Sequence, residues 1–73
     1  MDKHELWFSK DQKTAWIMDP ETRKTLYRAR MDRAKTAMDI AIELAAKHGY
    51  QRISDFLLVM DGSPLRKAVI QKV

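Results

Sequence analysis

The sequence predicts an α+β domain: a short N-terminal β-hairpin packed on one long central helix, followed by a C-terminal helical segment. Three observations carry that expectation. Two runs rich in β-favouring aromatics, residues 6–8 and 14–18, flank a polar connection. Residues 19–49 open with Asp19-Pro20-Glu21, a helix-start pattern, and close on Lys47-His48-Gly49, a helix-stop pattern. Between them Tyr27, Met31, Ala34, Met38, Ala41, Ile42, Leu44 and Ala45 share a face when each residue turns by about 100°.

The hairpin spans residues 5–18. Alternation puts Leu6 and Phe8 on one side with Trp7 opposite, and Thr14, Trp16 and Met18 on one side with Ala15 and Ile17 opposite. A two-stranded ribbon is marginal alone in water, so one face must pack on the helix. The other keeps at least one large aromatic that the helix cannot cover. Trp16 is read as core packing, while Trp7 is divided between core and interface.

The helix is expected over residues 20–48. Its polar side carries Arg28, Asp32, Lys35, Asp39, Glu43 and Lys47, and Arg28–Asp32, Lys35–Asp39 and Glu43–Lys47 are opposite charges four apart. After Gly49, Ile53, Phe56, Leu57 and Met60 repeat at helical spacing, giving a helical piece over 52–61. Asp61-Gly62-Ser63-Pro64 breaks it, and a last helical piece is expected over 64–72. Residues 1–73 thus form one small domain, with room for one core.

Composition narrows the function. There is no cysteine, and the histidines are only His4 and His48, so neither a disulfide nor a thiolate or histidine metal site is expected, and no cofactor. No apolar run approaches the ~18 residues of a membrane span. The N-terminus lacks the pattern of a secretory signal, so a cytoplasmic protein is expected. His48, Ser54 and Asp55 are close in sequence without a triad's spacing, and Ser54-Asp55 reads as a helix cap. With only Gly49 and Gly62, the chain has no glycine-rich phosphate loop. The chain reads as a non-enzyme.

The net charge is +4, and residues 19–35 hold six bases against three acids. Such an excess suits a negatively charged partner, whether nucleic acid or an acidic protein surface. The runs TLYRARMD, AAKHGY and ISDFL resemble the antitoxin branch of the ribbon-helix-helix DNA-binding family. That resemblance implies a dimer in which Arg28 and Arg30 read bases from a strand.

The whole chain, through its size and the phrases DKHELWF and KTAWIMDPETRK, resembles the small transcription regulators of phages such as those of Xanthomonas. These bind their host's RNA polymerase. The resemblance implies binding to the amino-terminal region of β′ and to β, loss of σ with blocked initiation, and antitermination. It favours a monomer working in the host cytoplasm. In residue terms, the edge of the N-terminal ribbon is expected to accept a strand from the target. Leu6, Trp7 and Phe8 are the expected anchors, while Arg23, Lys24, Arg28, Arg30 and Arg33 steer association.

Overall fold

The computed structural model describes residues 3–11, 13–59 and 62–73. Seven elements follow one another: β1 (Lys3–Ser9), β2 (Thr14–Met18), β3 (Thr25–Arg28), α1 (Ala37–Lys47), β4 (Tyr50–Arg52), β5 (Leu57–Leu58) and β6 (Leu65–Lys72). The strands form one antiparallel sheet in the order β3-β2-β1-β6-β4, and β5 also pairs with β6. The helix lies on one face of this sheet.

Alternation along each strand builds the core. Leu6 and Phe8 of β1, Ala15 and Ile17 of β2, and Ala68 and Ile70 of β6 are buried on the helix side. The helix answers with Ala37, Ile40, Ala41, Leu44 and Ala45, a stripe at three- and four-residue spacing. Tyr50 closes one end of the core, and Phe8 meets Phe56 edge to face at 4.8 Å. Burial of this kind contributes about 1.5–3 kcal/mol per large side chain, which makes this face the stabilising one.

The expected architecture is therefore corrected. The pairing of β1 with β2 is present, but the long helix over 20–48 and the helical pieces over 52–61 and 64–72 are not. Asp19 does accept a backbone N–H two residues on, from Glu21 at 2.8 Å, yet it does so in a turn. Asp19 and Lys24 are joined by a backbone hydrogen bond of 3.0 Å, and Arg23 adopts φ +60. The same side-chain chemistry serves helix caps and such turns, so the start pattern was ambiguous. The chain then returns as β3, and Ile17 pairs with Tyr27.

The helix is capped 17 residues after Asp19 by Thr36, whose hydroxyl accepts the N–H of Asp39 at 3.1 Å. It stops where expected: Gly49 takes φ +79, in the left-handed region. Of the face assigned from periodicity, Ala41, Leu44 and Ala45 are buried, whereas Met31, Met38 and Ile42 are exposed. Lys35 pairs with Glu43 at 2.8 Å instead of with Asp39, because it precedes the helix and folds back along it.

The C-terminal segment alternates instead of coiling. Ala68 and Ile70 point to the helix, while Lys67 and Val69 point away, because β1 supplies a central strand for them to pair with. Residues 53–59 are irregular apart from β5. Met60 and Asp61 of the expected helix lie outside the described residues, as does Gln12 of the hairpin loop. With β4 and β5 in place of a second helix, and β3 bonded to β2 of its own chain, the ribbon-helix-helix architecture does not apply.

Candidate partner-binding surface

The sheet face turned away from α1 carries a row of side chains set by strand register. Arg28 pairs with Trp16, Trp16 with Trp7, Trp7 with Lys67 and Lys67 with Leu57. Each is the residue its strand presents on this side, because its neighbours in sequence face the helix. The row crosses four inter-strand spacings, about 19 Å. Among the described residues no helix or strand packs over it.

Inside the row the geometry is specific. The indoles of Trp7 and Trp16 stack at 5.6 Å between centroids and 18° between planes. The ammonium of Lys67 lies 5.6 Å from the Trp7 ring centroid and 3.1 Å from Glu5 Oε2. Trp7 Nε1–H donates to Glu5 Oε1 at 3.3 Å. Glu5 therefore holds the indole and the cation in place together. In the row Trp7 is flanked by Trp16 on one side and Lys67 on the other, whereas Trp16 has Arg28 of the edge strand as its outer neighbour, and both indoles are partly exposed.

The second surface is the edge of the sheet. β3 ends the strand order, and no described strand pairs with its outer side. Ala29 N–H donates to Ala15 at 2.9 Å, so by antiparallel alternation the N–H of Arg28 turns to the free edge. Thr25, Leu26 and Arg28 are exposed. Basic side chains bracket this strand: Arg23 and Lys24 in the turn before it, Arg28 within it, Arg30 just beyond its end. Arg33 is farther along, lining a recess with Lys10, Lys13 and Lys35 beside the start of α1.

The site residues expected from sequence thus divide. Leu6 and Phe8 are fully buried core, since alternation turns them to the helix, and they are corrected as anchors. Trp7 is on the open face, half-buried. Arg23, Lys24, Arg28, Arg30 and Arg33 are all exposed. The strand edge expected of the N-terminal ribbon is also corrected: β1 is flanked by β2 and β6, and β2 by β1 and β3, so neither strand of the ribbon has a free edge. Sequence reasoning assigned Trp16 to the core, and it left out Glu5 and Lys67. The shared parity of Trp16 and Met18 against the apolar pair Ala15 and Ile17 is the signal that separates the two faces.

The residues weighed for chemistry have structural roles. Ser54 Oγ accepts the N–H of Val69 at 2.8 Å and donates to the carbonyl of Asp55 at 3.2 Å. His48 stacks on Tyr27 at 3.6 Å, and His4 Nδ1 shares a 2.7 Å hydrogen bond with the Tyr50 hydroxyl. Among the described residues no three His, Asp or Glu side chains are grouped to hold a metal ion, and no helix is long and apolar enough to cross a membrane. Comparison with protein-family models, with curated proteins and with solved structures finds no match.

Proposed function

We propose that this chain is a non-catalytic phage regulator that binds bacterial RNA polymerase as a monomer, inhibiting σ-dependent initiation and acting as an antiterminator. The resemblance of the whole chain to phage regulators brings the target. The basic edge of β3 brings the means. An extended acidic segment of the polymerase, in β′ or β, adds to the outer side of β3 by main-chain hydrogen bonds. Arg23, Lys24, Arg28 and Arg30 supply complementary charge and speed the encounter.

The observation that carries this reading is the coincidence of a free strand edge with the most basic part of the chain. The same charges discourage two copies from pairing through β3, which favours a monomer. The test is capture of purified core polymerase by the full chain, with transcription from a σ-dependent promoter read in parallel. Saturable binding and reduced initiation are expected. The triple variant Arg23→Glu, Arg28→Glu, Arg30→Glu should slow association about tenfold or more. A wild-type chain that neither binds polymerase nor alters initiation would remove the proposal.

A further inference from the structure

We propose that the open sheet face is a binding site for single-stranded RNA, with one base stacked on the outer side of Trp16 beside Arg28. The face is a different surface from the outer edge of β3, although Arg28 belongs to both. Its identification as a stacking surface is independent of the polymerase reading. The choice of RNA over DNA rests on that reading, because the transcript is the single strand that emerges exposed from a polymerase.

The chemistry follows from the row. Aromatic side chains on an otherwise open sheet stack bases of any sequence, and flanking cations meet the phosphates. Trp7 cannot take a base directly, since Trp16 and Lys67 occupy its two sides. Its part is to brace Trp16, so that Trp16 meets a base without first becoming ordered. Arg28 lies one strand beyond Trp16 in register, about 4.8 Å across the sheet, where its guanidinium can reach either the base plane or the adjoining phosphate.

Lys3, which shares the parity of Glu5 and Trp7 on β1, adds a third cation to Arg28 and Lys67 on this side. Charge on the face is thus positive despite Glu5, whose carboxylate is already paired with Lys67. A duplex fits poorly, because its bases are stacked on each other and closed to the indole. A single strand presents them free.

Only two tryptophans occur in the chain, and both are here, so tryptophan emission, excited where tyrosine does not absorb, reports this face alone. The experiment titrates the full chain with an oligouridylate of about ten nucleotides, with the matching DNA strand, and with a duplex of mixed sequence. RNA is expected to quench the emission saturably and more tightly than either DNA form. Trp16→Leu, checked for folding by its amide spectrum, should weaken RNA binding about tenfold as measured by anisotropy of labelled RNA. Glu5→Gln should tighten it, by freeing Lys67 for phosphate.

Absence of quenching up to about 100 µM RNA, the weak end of non-specific affinity, would overturn the site. So would undiminished binding by a folded Trp16→Leu chain. Equal or tighter binding of DNA would overturn the assignment to RNA. Because no polymerase is present, these outcomes leave the polymerase reading standing or falling on its own test.

Discussion

Trp7 and Trp16 face each other across β1 and β2, their ring centroids 5.6 Å apart and their planes 18° from parallel. The pair sits on the side of the sheet that the helix leaves open, so its packing comes from neighbours on the same face. Stacked aromatics of this kind contribute about 0.5–1.5 kcal/mol beyond the area they bury. A double-mutant cycle with Trp7→Ala and Trp16→Ala, followed by urea denaturation, should return a coupling of that size. A coupling near zero would show two independent indoles.

The opposite face should respond far more strongly to truncation. Phe8 is 1% exposed and packs edge-on against Phe56. Phe8→Ala should cost about 3–5 kcal/mol, a large share of what a small domain possesses. Leu57, at 64% exposure, gives the contrast: Leu57→Ser should change stability by no more than about 0.5 kcal/mol. Denaturant midpoints of the two variants measure the difference.

The start of α1 depends on one hydroxyl. Thr36 Oγ1 accepts the N–H of Asp39 at 3.1 Å, and Thr36→Ala should cost about 1 kcal/mol, whereas Thr36→Ser should retain most of the effect. The readout is the urea midpoint, with amide exchange in the first helical turn rising in the alanine variant alone.

Lys35 gives a pH-dependent prediction. Its hydrogen bond and charge attraction to Glu43, with Asp32 and Asp39 adding weaker attraction, hold its pKa above the ordinary lysine value of 10.5. A raised value favours the folded state fully below 10.5, and this contribution disappears as pH rises through the raised value. Near neutrality the contribution of this pair should therefore be present in full and independent of pH, with any loss confined to strongly alkaline solution. Because both partners are well exposed, the effect on stability is small. Glu43→Gln should bring the Lys35 midpoint back toward 10.5 in an NMR titration of its side-chain methylene signals.

How much of this was legible in the sequence depends on whether a residue's local signal had one meaning or two. The strand character of residues 6–8 and 14–18 had one, as did Gly49 at the end of the helix. Which face of those strands is core had two, so that Leu6 and Phe8 were expected as anchors and Trp16 as core. Asp19-Pro20-Glu21 had two, because a carboxylate that accepts the N–H two residues on makes either a helix cap or a turn. Tyr27 also had two: it fits a helical stripe with Met31 and Ala34, and it fits strand alternation with Ala29 equally well. The decision fell to tertiary pairing, since β2 offered Ile17 opposite Tyr27 and Ala15 as acceptor for Ala29. Thr36-Ala37-Met38-Asp39 is also a readable cap, and it competes with the start pattern at Asp19. For the surface, the exposed bases were identified from charge alone. Lys67 was not, because it reaches Trp7 only through the pairing of β1 with β6, which are far apart in sequence.

The proposal that polymerase binds at the edge of β3 is most directly tested by amide hydrogen exchange of the intact chain, free and bound to core RNA polymerase. Strand addition at β3 should slow exchange at the outward amide of Arg28 and across the flanking turn. Arg28→Pro, tolerable at a sheet edge, should lose that protection and weaken the complex more than Arg28→Gln does. A polymerase complex in which residues 23–30 exchange as in the free chain, while protection appears elsewhere, would contradict the assignment.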